Sequence, residues 1–225
     1  MLQELIDDHR MYHDETQMDC FITAKAGGTP YGMYRQALRE LYKRLRGLKG
    51  LYADYALLEV DIDELEAKEA ENEFESRRNR IHLVRKKLTL QELEKSIADT
   101  EREFLRFYGQ AVALKKVVGE LTPEKRLKLD REFWAHQAKE RAAVDLLTTG
   151  LVGVHAIDLI QYLPVEERAP IFAQLKDKQA LLRWFEEFNY EHPLPALQSP
   201  EVNQKLIAQI KEEAVPLVSE DVSNE

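Results

Sequence analysis

Leu38, Leu41, Leu45, Leu48, Tyr52 and Tyr55 recur at alternating steps of three and four, the seven-residue period of one helix lying along another. A second run, Leu93, Ile97, Thr100, Phe104, Phe107, Ala111, Leu114, Val118 and Leu121, keeps the same period over four heptads. A chain with two such stripes is committed to long helices that shield their apolar edges against each other. Its 32% of charged residues, with only 9 Gly and 8 Pro in 225, fits amphipathic helices better than sheets. Phe21, Ile22 and Thr23 form the only short candidate strand.

Punctuation divides the helices. Residues 2 to about 20 suit a first helix, and Ala24 to Gly32, with Gly27, Gly28 and Thr29-Pro30, reads as a loop. From Met33 the pattern is helical to about Lys87. Thr89 with Glu92 three residues on has the form of a capping box, which predicts a new helix there and a hairpin turn near Leu88. Thr122-Pro123 and Ser199-Pro200 mark further helix starts. Residues 151 to 160 are apolar nearly all round, as in a buried helix, and two short helices follow Pro164. The expected fold is all-α: a long, coiled-coil-like antiparallel hairpin followed by a compact C-terminal helical bundle. The expected segments are 1–32 (first helix and Gly-rich loop), 33–121 (hairpin), 122–192 (bundle) and 193–225 (Pro linker, last helix and acidic tail).

Charge is sorted into blocks along the hairpin. Arg35, Arg39, Lys43, Arg44, Arg46 and Lys49 stand against the single acid Glu40. Glu59, Asp61, Asp63, Glu64, Glu66, Glu69, Glu71, Glu73 and Glu75 then stand against Lys68 alone. The sign flips again at Arg77, Arg78, Arg80, Arg85, Lys86 and Lys87, a basic patch expected at the hairpin tip. Arg35, Arg39, Lys43 and Arg46 follow steps of four, four and three, so they stack on one helix side. Such a row suits duplex phosphates, with Tyr31, Tyr34 and Tyr42 near enough to touch sugar or base. It suits an acidic face of the same molecule or of a neighbour somewhat better. The net charge of −9 argues against a general nucleic-acid coat.

Motifs for chemistry are weak. His9 and His13 stand four apart with Asp8, Asp14 and Asp19 nearby but lack a third metal ligand of recognised spacing. The Gly27–Gly32 stretch lacks the Lys and Ser/Thr that follow a phosphate loop. His82 has no Glu three residues before it, so the acidic block does not match a carboxylate-bridged metal site. His155 and Asp158 read as a core pair, and Trp134, Trp184 and Phe185 as core anchors. Neither catalytic residue, metal nor cofactor is expected, and the chain reads as non-enzymatic. The lone Cys20 fits a small buried hydrophobe in a reducing compartment. No stretch approaches the ~18 apolar residues of a membrane helix, and no signal peptide is recognisable. A cytoplasmic location is therefore expected, in the host cell if the chain is viral.

The cap-delimited helices, the hairpin, the charge blocks and the acidic tail resemble the small terminase subunits of tailed bacteriophages, in a layout that covers residues 30 to 120. That resemblance implies a homo-oligomer in genome packaging, double-stranded DNA met by the basic residues from Arg35 to Lys49, and a protein partner at the acidic C terminus. The other expectation is a purely structural or adaptor protein of a virion or other complex, with no nucleic acid.

Overall fold

Two heptad stripes meet along one seam. The computed structural model describes residues 1–11, 29–161, 163–187, 194–196 and 198–215, with the side chains of Val154, His155, Asp158 and Phe185 outside the description. The expectations placed on His13, Asp14, Asp19, Cys20, Phe21–Thr23, Gly27–Gly28 and the acidic tail after residue 215, and on the His155–Asp158 pair, lie outside the described residues. In chain order the helices are α1 (Leu2–Arg10), α2 (Pro30–Ala67), α3 (Glu73–Val118), α4 (Pro123–Thr149), α5 (Val154–Ile160), α6 (Val165–Lys176), α7 (Lys178–Glu187) and α8 (Pro200–Ala214). Every regular element among the described residues is helical. The long pair α2 and α3 is antiparallel, and smaller helices follow it, which is the fold class expected.

At 1.5 Å per residue, α2 is about 57 Å long and α3 about 69 Å. It begins earlier than the Gly and Pro content implied. The Gly32 N–H donates to Thr29 Oγ1 at 3.0 Å and the Met33 N–H to the Thr29 carbonyl at 2.8 Å, so Thr29 is the cap and Pro30 the first helical residue. Pro30 to Gly32 are therefore helix, where a loop was expected.

The hairpin turns at residues 68–72 instead of near Leu88. Asn72 Oδ1 accepts from the Glu75 N–H at 2.9 Å, and the Glu75 carboxylate reaches back to the Glu71 N–H at 3.0 Å. Asn72 thus caps α3, and the Glu75 carboxylate holds the residue before the cap. That backbone bond, helped by Lys68 3.2 Å away, holds the Glu75 carboxyl below its ordinary pKa. Thr89 lies within α3, where its hydroxyl donates to the Arg85 carbonyl one turn back. Its box is idle because nothing beside it breaks the helix.

The described chain forms two compact units, each taking part of α2 and α3: Met1–Arg39 with Tyr108–Ala196, and Glu40–Phe107 with Leu197–Glu225. In the second unit Leu41, Leu45, Leu48, Tyr52, Ile62 and Phe104 are buried. A polar ladder runs beside them: Arg44 to Glu103 (2.5 Å), Tyr52 to Glu101 (2.6 Å), Tyr55 to Glu94 (3.2 Å), Asp61 to Lys86, and Glu66 to Lys87 (2.6 Å). α8 joins this unit through Lys49 and Glu213, 2.6 Å apart, and Lys211 over the Tyr55 ring.

In the first unit, Asp8 of α1 accepts from Tyr34 (2.5 Å) and from Lys115 (2.9 Å) beside the buried Leu5. α4 starts at the Thr122 cap with Pro123 and stops at Gly150, whose φ of +72° suits glycine and whose N–H returns to the Leu146 carbonyl. Ala142 and Leu146 of α4 pack with Ala156 of α5 and Leu181 of α7 in a small core. α5 buries Ala156, Leu159 and Ile160, while Leu151 and Ile157 face outward. The segment expected to be buried all round is thus one-sided. Gly109 permits a close backbone approach, since a Cβ there would sit 2.8 Å from the Ala196 carbonyl oxygen.

Asn72→Ala should cost about 1 kcal/mol of stability, whereas Thr89→Ala should change it by less than about 0.5 kcal/mol. Urea unfolding of both variants checks this, and the reverse order would place the turn near Leu88.

Candidate functional site

The six basic residues from Arg35 to Lys49 do not form one face. Arg35, 8% exposed, turns inward. Its guanidinium lies 4.9 Å from the Phe133 ring centre, 5.8 Å from Trp134 and 5.9 Å from Tyr31. The rings are edge to face, Phe133 against Trp134 at 5.0 Å and Tyr31 against Phe133 at 6.2 Å. Arg35 is thus a cation set among aromatic rings, where planar guanidinium packs well. Arg44 is held by Glu40 at 3.6 Å and by Glu103, and Lys49 by Glu213. Arg39, Lys43 and Arg46 remain exposed on α2. Of these, Lys43 and Arg46 make no ion pair among the described residues. Tyr31 and Tyr34 are buried and bonded to Asp130 and Asp8, so neither is presented to a ligand as the sequence suggested.

The second basic group lies within α3. Arg77, Arg78 and Arg80 occupy its first two turns beside the hairpin turn; Arg85, Lys86 and Lys87 lie farther along. Lys86 is paired with Asp61 and Lys87 with Glu66. The four arginines are exposed and make no ion pair among the described residues.

A cleft of about 350 Å³ in the first unit is walled by Tyr31, Val118, Leu129 and Phe133, with Lys125, Glu132 and His136 at its polar margin. Lys125 is committed to the Val118 carbonyl, where it caps the end of α3. The His136 ring stacks on Trp184 at 5.7 Å. Burial first, and Lys139 second, push its pKa below the ordinary histidine value and keep it neutral at pH 7. Among the described residues no three His, Cys, Asp or Glu side chains are grouped to hold a metal ion, and no helix is long and apolar enough to cross a membrane.

The feature that spacing arguments passed over is a second stripe on α3. Phe74 is 87% exposed, and Ile81, Val84 and Leu88 are 50–56% exposed. On α2, Leu57 and Val60 are each 49% exposed. The signal was present as Phe74, Ile81 and Leu88 at intervals of seven, but the dense charge around them masked it.

Arg35→Ala should lower unfolding stability by about 2 kcal/mol, through lost ring contacts and a lost buried stem. Arg46→Ala should stay within about 0.5 kcal/mol of wild type. Equal, small effects in denaturant titrations would return Arg35 to the exposed face.

No protein-family model, no curated protein and no solved structure matches this chain.

Proposed function

We propose that the chain is a non-enzymatic, homo-oligomeric helical assembly protein whose working surface is the outer side of the hairpin in residues 57–88. The observation that carries this reading is the set of six large apolar side chains there, Leu57, Val60, Phe74, Ile81, Val84 and Leu88, each about half or more exposed. Apolar residues recurring along a helix at solvent-facing positions mark a surface awaiting a protein partner. In light scattering over a range of concentration, the full chain should show a mass above the 26.2 kDa of one protomer. A single species of protomer mass at every concentration would end the assembly reading.

A second reading keeps double-stranded DNA as a ligand and with it the genome-packaging role of a small terminase-like subunit. It is favoured by Lys43 and Arg46, exposed without ion pairs among the described residues, and by the four exposed arginines of α3. Each phosphate neutralised adds about 0.9 to the salt slope of duplex binding, so Lys43→Ala with Arg46→Ala should reduce that slope by about 2. An unchanged slope would remove these two residues from any DNA contact.

A further inference from the structure

The hairpin carries two apolar edges of opposite charge. We infer that they bind each other between copies, the α3 edge of one chain lying on the α2 edge of the next, head to tail. This rests on the assembly reading and names its partner and geometry.

The edges follow from burial and helical geometry. On α3 the half-buried Leu83, Lys86, Leu90, Leu93 and Ile97 mark the side turned to α2. At 100° per residue, Phe74, Ile81 and Leu88 fall roughly 140–180° away, on the far side. With Arg77 and Val84 between them they step by three and four, a coiled-coil seam of two heptads left in solvent. On α2 the inward side is marked by Tyr52, Tyr55, Leu58, Ile62 and Leu65. Leu57 and Val60 lie roughly 150° from it, and Ala53, Glu64 and Ala67 extend their row at the same steps.

Charge selects the pairing. The α3 edge is flanked by Arg78, Arg80 and Arg85, with Arg77 in the seam and Glu73 at its start; the α2 edge is flanked by Asp63, with Glu64 in the seam. Lys86 and Lys87 are already matched to Asp61 and Glu66 within the chain, whereas Asp63, Glu64 and the four arginines make no ion pair among the described residues. Over the apolar stretch, two α3 edges would set arginine against arginine, and two α2 edges carboxylate against carboxylate. Only α2 against α3 joins opposite charges and places Glu64 where it can meet Arg77. A contact between two different patches leaves the joined pair with one free edge of each kind. The assembly therefore continues to a closed ring or an open filament.

The test is sedimentation velocity of the full chain with two double variants, Ile81→Glu with Leu88→Glu on the α3 edge, and Leu57→Glu with Val60→Glu on the α2 edge. All four positions are solvent-facing, and unchanged helical circular dichroism and melting temperature establish that the variants fold. Wild type should grow past the dimer as concentration rises. Each variant alone should remain a protomer, and their equimolar mixture should form a dimer and stop, since each supplies the edge that the other lacks. That dimer should dissociate at least tenfold more readily at about 0.5 M than at about 0.05 M salt. If one variant still dimerises by itself, the contact is two-fold symmetric and the inference falls. If both variants keep the wild-type mass, assembly uses another surface, and the inference falls while the assembly reading stands. A wild type that is monomeric throughout removes both.

Discussion

The seam between α2 and α3 is the interaction on which the structure depends. Helices about 57 and 69 Å long gain little from helix propensity alone, and their stability in water comes from burying an apolar face. Here Leu41, Leu45, Leu48, Tyr52 and Ile62 supply that face from α2, and Phe104 from α3, within the second unit. Leu38, Ala111, Leu114 and Val118 are buried in the first unit. Burying a Leu or Phe side chain is worth about 1.5–3 kcal/mol, so a seam of this length dominates any single polar contact.

Polar groups then choose the register. An exposed ion pair contributes about 0–1 kcal/mol, too little to hold helices together. A ladder of them along one side still penalises every slipped alignment. Arg44 with Glu103, Asp61 with Lys86 and Glu66 with Lys87 can form together in only one antiparallel register. Tyr52 ties this ladder to the core: burial, and then its bond to Glu101, raise the pKa of its phenol and keep the proton it donates. Part of the charge blocks visible in the sequence is used within the chain, by Arg44, Lys49, Asp61, Glu66, Lys86 and Lys87. Lys43, Arg46, Asp63, Glu64 and the arginines Arg77, Arg78, Arg80 and Arg85 are left over from these pairings among the described residues.

Long helices and the hairpin were legible because heptad spacing is a local signal that burial confirms. Details failed where the deciding group lay far away in the chain or where two local signals competed. Thr29-Pro30 carries the same cap as Thr122-Pro123 and Ser199-Pro200, but Gly27, Gly28 and Gly32 around it read as loop. The Thr89 box looked like a start, yet a Thr hydroxyl can bond back to its own helix, and Asn72, accepting from the Glu75 N–H, is the cap that α3 uses. Arg35 was assigned to a basic face by its spacing to Arg39 and Lys43. The rings that receive it, Phe133 and Trp134, lie about a hundred residues on, beyond the reach of any periodicity. Glu103 and Glu213 claim Arg44 and Lys49 in the same non-local way. The exposed Phe74, Ile81 and Leu88 were the opposite case, periodic but diluted by arginines.

The central claim is that α2 and α3 fold back on each other at residues 68–72, with Tyr55 beside Glu94. Spin labels at Asp54 and Lys95, both exposed, in a Cys20→Ser background diluted with unlabelled chain, read that arrangement within single molecules. Pulsed electron resonance should return a distance of about 20 Å, the spacing of adjacent helices plus the label arms. A distance near 60 Å, that of 41 residues of uninterrupted helix at 1.5 Å each, would show a single rod and contradict the account.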